Sequence, residues 1–289
     1  MKIGLLAFVT ETTADPGTIA RKCESLGFDA IFIPEHPIIP VTHRTPYPVG
    51  NGKIPENYSH MPDPFVSLAI AGAATSKIKL GTGICLVPER DPILLAKEVA
   101  TLDFYSGGRF IFEIGAGWLA DESEIMGIDF KKRWPITREY VRAMKELWTQ
   151  PEASFEGEYV KFPPVRHYPK PAQKPHPPIH IGAGGSGLGP NDRALKNVVA
   201  IADGWSPIGI SPEAIVPELE KLKRMCNEAG RDFSKLTISV YQLAAQDDPK
   251  PEIAKYERAG VHRLIISTNH LEPGRADREL ESLARTYLN

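Results

Sequence analysis

Short apolar runs alternate along this chain with longer segments in which apolar residues return at helical spacing. That alternation predicts parallel strands joined by crossover helices. Strands are predicted at residues 3–9, 30–34, 78–84, 109–115, 178–182, 202–206, 236–243 and 263–267. Helices are predicted at 14–26, 63–75, 92–105, 137–148, 192–201, 213–229, 252–259 and 280–287. Local chemistry sets several boundaries. Asp63 and Asp91 are each followed by proline, the pattern of an N-cap and first helical turn. Gly27 and Gly230 stop the helices they follow.

Eight strand–helix units predict an α/β protein with a (β/α)8 TIM barrel as one domain over residues 1–289. Insertions follow the second and fourth strands. The first is a long loop at 37–62, which holds His43, Arg44, Tyr47, Tyr58 and His60. A structureless loop of this length in a compact domain reads as a cover over the barrel mouth or as a disordered excursion. The second insertion holds an alternating segment, FEGEYVKF at 155–162, read as a small hairpin. A proline-rich stretch at 163–178 follows, read as an extended connector. An open doubly wound sheet is the alternative fold. No strand is followed by a clean dinucleotide fingerprint, and the glycine cluster at 182–187 lies outside the first βα unit, so that alternative is weaker.

Composition narrows the function classes. A net charge of −2 gives no bulk field for nucleic acid or an anionic membrane surface. Three widely spaced cysteines, Cys23, Cys85 and Cys226, do not form a disulfide framework or zinc site and fit a reducing cytoplasm. The opening MKIGLLAFVT is too short an apolar run for a secretory signal, and no run reaches membrane-spanning length. The expectation is a soluble cytoplasmic protein with a small-molecule substrate. Nucleophile elbows, zinc-binding HExxH helices and P-loops are absent from the sequence.

In a barrel of this kind the reactive residues lie at the C-terminal strand ends. His36 follows the second strand, where a histidine can exchange a proton near neutral pH; elsewhere it would be an ordinary loop histidine. Gly83 and Ile84 end the third strand, and by themselves read as a strand-end turn. Gly115, Ala116, Gly117 and Trp118 end the fourth, where small residues permit close backbone approach and a tryptophan can stack on a planar ligand. Gly182, Ala183, Gly184, Gly185 and Ser186 precede a helix, and successive backbone N–H groups there suit a phosphate. Cys85, among apolar neighbours, reads as an inert thiol.

The segments LGFDAIFIPEH, KLGTGICLVPERDPILLAKEVATLDFYSGGRF, GAGW and SFEGEYVKFPPV resemble the luciferase-like monooxygenase superfamily, and within it a short deazaflavin (F420)-dependent oxidoreductase subgroup. The resemblance implies a hydride-transferring enzyme using coenzyme F420. The alternative is an FMN-dependent monooxygenase supplied by a separate reductase. It implies that His36 lies beside the reactive ring carbon, with Glu35 where aspartate is commoner, and that a non-prolyl cis peptide at Gly83-Ile84 supports the ring from behind. It further implies that the GAGW segment walls the pocket, that the loop of Gly182 to Ser186 takes the cofactor phosphate, and that the protein is a homodimer. The inserted residues 188–191 lengthen that loop beyond the family pattern. Some sugar-phosphate-oxidising relatives carry a catalytic glutamate in place of Trp118, so its absence argues against that activity. Two further readings stay open: a cofactor-binding protein without turnover, and a metal-dependent isomerase using Glu35 and His36.

Overall fold

A computed structural model of the chain describes residues 1–185, 191–242, 246, 248–268 and 271–288. The barrel strands are β1 (Lys2–Leu6), β2 (Ala30–Ile33), β3 (Lys79–Thr82), its short continuation β4 (Cys85–Leu86), β5 (Phe110–Gly115), β8 (Ile179–Ile181), β9 (Gly204–Trp205), β10 (Thr237–Gln242) and β11 (Arg263–Ser267). All pair in parallel, and a β3–β5 pairing closes the ring. Predicted strand three is therefore two pieces, β3 and β4, divided by a cis peptide bond at Gly83-Ile84.

The outer helices are α1 (Pro16–Leu26), α2 (Pro64–Ala73), α3 (Pro92–Tyr105), α5 (Arg133–Thr149), α6 (Asn191–Ile201), α7 (Pro212–Glu228), α8 (Lys250–Arg258) and α9 (Ala276–Tyr287). The starts of α2 and α3 follow the caps read from sequence. The Asp63 carboxylate accepts from the Val66 N–H at 2.9 Å, and Asp91 accepts from the Ile93 and Leu94 N–H groups. Gly27 takes a left-handed conformation, φ 94°, at the end of α1. Other elements differ from expectation as well: the first strand ends at Leu6 rather than at residue 9, and α5 begins at Arg133 rather than at 137. A short helix, α4 (Ala120–Ile125), sits directly after β5, and the hairpin is longer than predicted, β6 (Ala153–Glu156) against β7 (Lys161–Val165). The first two prolines of the connector, Pro163 and Pro164, belong to β7. They are tolerated because a two-stranded hairpin leaves both strands with a free edge.

Both faces of each barrel strand are covered, which is why the strands read as continuous apolar runs rather than as alternations. Outward residues such as Ile3, Leu5, Phe110 and Phe112 pack under the helices. Inward residues Leu6, Phe32, Ile111, Tyr241 and Ile265 form a separate interior cluster. An acidic side chain enters that interior midway along the barrel. Glu113 on β5 is fully buried; it accepts from the Ser206 hydroxyl at 2.6 Å and from the Tyr241 hydroxyl, and lies 3.4 Å from His180 Nδ1. A buried carboxylate persists only when donors replace its water, so these side chains act together. Ser206→Ala should lower unfolding free energy by about 1–3 kcal/mol, because it strips a donor from a buried carboxylate. Denaturant unfolding reads this directly; an unchanged midpoint would show that Ser206 does not support Glu113.

Candidate active site

A cavity of about 500 Å³ opens at the C-terminal end of the barrel. It gathers residues from the ends of β1, β2, β3, β5, β8, β9 and β10: Leu6, His36, Gly83, Ala116, Gly182, Ile208 and Tyr241 among them. Its floor is the Gly83-Ile84 peptide, and packing explains the glycines around it. A Cβ on Gly83 would come within 2.9 Å of Leu6 and Phe32 and 3.0 Å of the Tyr241 hydroxyl. The Ile84 side chain occupies the space that Cβ atoms on Gly115 and Gly182 would need, each approaching it to 2.4 Å. These two glycines thus make room for Ile84, a closer approach than any the sequence alone revealed.

His36 is 8% exposed and lies on the cavity wall. Its Nδ1 is 2.7 Å from the fully buried carboxylate of Glu122, and its Nε2 accepts from the Trp118 indole N–H at 3.2 Å. An acceptor at Nε2 requires a neutral ring whose proton is on Nδ1, donated to Glu122. The Ile38 N–H reaches the other Glu122 oxygen at 3.4 Å. Protonating His36 would keep the Glu122 bond and break the Trp118 bond, so Trp118 reports the charge state of the ring.

Glu35, the neighbour of His36, does not face the same task. Its Oε1 accepts from Arg90 Nε at 2.6 Å, and its Oε2 accepts from the Leu86 N–H at 2.8 Å. Arg90 also pairs with Asp63 and Glu98, which ties β2, β4, α2 and α3 together behind the site. Among the described residues, no group of three or more His, Cys, Asp or Glu side chains could hold a metal ion.

The loop at 37–62 covers the mouth. Thr45, Pro46, Tyr47, Pro48, Val49 and Tyr58 line the cavity. The Tyr47 and Tyr58 hydroxyls bond at 2.8 Å; Tyr58 lies 5.3 Å from the His36 ring, and Tyr47 lies 5.5 Å from Trp118. Burial pushes the Tyr58 phenol upward from its ordinary pKa, and Tyr47 adds to the shift, so the Tyr58 phenol stays neutral. Asp121 on α4 anchors the loop, accepting from the Arg44 and Thr45 N–H groups and from the Thr45 hydroxyl. These bonds hold the Asp121 carboxyl below its usual range. Arg44 is spent on Asp121 and Glu124, and His60 pairs with Glu11 outside the cavity lining.

Ala116, Gly117, Trp118, Gly182, Ala183 and Gly184 line the cavity. Gly115 is packed beneath Ile84, and the Gly185 N–H donates to the Asn191 side chain at 2.8 Å. Ser186 lies outside the described residues. Sequence reasoning gave no role to Glu122 and missed Glu89 altogether. Glu89 is buried behind Gly117, with Oε1 accepting from the Ser123 hydroxyl at 2.6 Å and Oε2 without a partner among the described residues. Burial, reinforced by the nearby Glu122 charge and only partly opposed by the Ser123 bond, pushes its carboxyl up to about 8.

The chain matches the family model for luciferase-like monooxygenases over residues 3–286. An uncharacterized protein of Mycobacterium tuberculosis is 37% identical over 270 residues, covering 92% of this chain and 91% of that one. The FMNH(2)-dependent dimethylsulfone monooxygenase of Pseudomonas putida is 33% identical over 175 residues, 60% of this chain and 46% of that protein. The F420-dependent glucose-6-phosphate dehydrogenase of Intrasporangium calvum is 32% identical over 170 residues, 57% of this chain and 46% of that protein. In structure, the coenzyme F420 dependent tetrahydromethanopterin reductase of Methanopyrus kandleri superposes with a TM-score of 0.72 at 20% identity, over 100% of this chain and 98% of that one. The chain therefore belongs to the luciferase-like monooxygenase family, an enzyme family whose relatives use either F420 or FMN.

Glu89→Gln gives a test of the buried carboxyl. A carboxyl raised above its unfolded value stabilises the fold fully below about pH 4.5 and loses that contribution as pH rises through about 8. The glutamine cannot ionise, so the melting temperature of the variant should fall less between pH 5 and pH 9 than that of the parent, by roughly 2 °C or more. Parallel pH profiles for the two proteins would contradict the assignment.

Proposed function

We propose that this member of the luciferase-like family passes a hydride between the deazaflavin F420 and a small organic substrate. The observation that carries the reading is His36, held by Glu122 and facing a cavity lined by the Gly83-Ile84 peptide. A flat ring system fits there because no side chain projects from Gly83. The hydride chemistry belongs to the deazaflavin when bound. The protein's own residues orient, exclude water and move a proton. His36 Nε2, once released from the Trp118 indole N–H, would serve as the base or, when protonated, as the acid. Glu122 stabilises the imidazolium and fixes the ring plane. Trp118, Tyr47 and Tyr58 wall the cavity, keeping water from the reacting atoms. Gly182, Ala183 and Gly184 are the cavity-lining residues of the segment proposed to take the cofactor phosphate.

The second reading is an FMN-dependent monooxygenase fed by a separate reductase, supported by the likeness to the dimethylsulfone monooxygenase. Equilibrium titration of F420 and of FMN into the purified protein separates the two. The reading predicts tighter binding of F420, and a fall of about 10²–10⁴ in F420-linked turnover for His36→Ala with cofactor affinity retained. Tighter FMN binding would overturn the cofactor assignment, and unchanged turnover would remove His36 from the chemistry.

The three buried free thiols fit a reducing cytoplasm, and no helix of the described chain is long and apolar enough to cross a membrane. A homodimer is part of the same proposal. Helices α2 and α3 lie side by side and expose Val66, Ile70, Leu94 and Phe104, an apolar face of the kind that marks association surfaces. Light scattering should give twice the chain mass, falling to the single-chain value in Val66→Asp/Leu94→Asp. A monomeric parent would refute this.

A further inference from the structure

A second hollow, of about 720 Å³, opens at the opposite, N-terminal end of the barrel. Interior positions of such barrels are usually filled by bulky apolar residues. Here three of the first interior-facing positions carry cations: Lys2 on β1, Lys79 on β3 and Arg263 on β11. Lys2 and Arg263 are register partners, and both face inward with Leu6 and Ile265. Against them stands one carboxylate, Asp29, which accepts from Arg263 Nε at 2.9 Å and Nη2 at 2.6 Å and lies 3.7 Å from Lys2 Nζ. Glu257 at the rim is taken by the Met1 amino group at 2.8 Å.

Arg263 is 3% exposed, yet its Nη1 has no hydrogen-bond partner among the described residues. The hydroxyl of Ser239, at the position on β10 registered with Arg263, is likewise buried and unpartnered among them. A guanidinium with one edge occupied and the other empty is an unmet demand for an acceptor. Burial lowers the Lys79 pKa, and the Lys2 and Arg263 charges lower it further, although Asp29 opposes them. His262 accepts from the Ile238 N–H through Nδ1, which leaves its other ring nitrogen as a donor at the mouth, and Thr237 adds a hydroxyl.

We propose that the N-terminal mouth of the barrel binds a phosphate group, held by Lys79, Lys2, Thr237 and the outer ring nitrogen of His262, with Arg263 adding its charge from beneath, apart from the cavity at the other end. Nη1 is closed off from the hollow, so Arg263 acts on the anion through its charge, and its partner Asp29 is shared with Lys2. The phosphate comes either as the inorganic ion or on the end of a small metabolite.

Thermal unfolding in phosphate against chloride at matched ionic strength tests the site. Phosphate stabilises many proteins by exclusion from their surface, so the comparison that matters is between parent and Lys2→Gln/Lys79→Gln. The parent should melt roughly 2 °C or more higher in saturating phosphate, and the double variant should lose that increment. Replacing inorganic phosphate by glycerol phosphate distinguishes the sources, the tighter of the two naming the occupant. Crystals of the parent soaked in tungstate should show an anomalous peak beside Arg263. Stabilisation that survives in the double variant, or a peak only at the C-terminal cavity, would overturn the proposal.

Discussion

The packing of Ile84 is the constraint on which the active end of the barrel depends. Its side chain fills space that any residue other than glycine at 115 or 182 would occupy, and the adjoining Gly83 is pressed against Leu6, Phe32 and Tyr241. The ends of β1, β2, β5, β8 and β10 are thereby fitted around one peptide. Close-packed interiors have no slack for a methyl group at such a point. The Ile84 side chain lies over Gly115 and Gly182, and it lines the cavity together with the Gly83 backbone.

Three chemically distinct layers follow along the barrel axis. At the C-terminal end a neutral histidine is held between a buried carboxylate and an indole. Midway, Glu113 draws donors from Ser206 and Tyr241 and closes the interior with a polar plug. At the N-terminal end cations outnumber carboxylates. Tyr241 links the first two layers, since it lines the cavity and donates to Glu113. A change at the cavity floor therefore reaches the support of the buried carboxylate below it. Behind the site, Glu35 and Arg90 serve as scaffold rather than chemistry, and α4 has two duties: Asp121 ties down the covering loop while Glu122 orients His36.

The barrel was legible because its signals are local. Asp63 and Asp91 before proline, Gly27 after α1, and the spacing of apolar runs each mark an element without knowledge of its neighbours. His36 and the Gly83-Ile84 junction were legible as strand-end residues, and the family resemblance added their surroundings. What stayed hidden is what depends on distant pairing. Glu122 meets His36 from 86 positions away. Tyr241 meets Glu113 across 128. Glu113 did carry a trace in the sequence: it is the one acid in FIFEIG, two residues after the inward Ile111. The period-two rule puts it inside the barrel, but nothing local says which donors receive it. Arg263 was read only as the start of the last strand, because the demand of its free edge becomes visible only when Asp29 is seen to occupy the other edge.

The most direct measurement is a crystal structure of the protein with its tighter-binding cofactor. The account predicts the three-ring system lying on the Gly83-Ile84 peptide, with one edge toward His36 and Trp118 and the phosphate near Ala183 and Gly184. A ring bound elsewhere, or stacked on the tyrosines of the covering loop with the backbone floor bare, would contradict it.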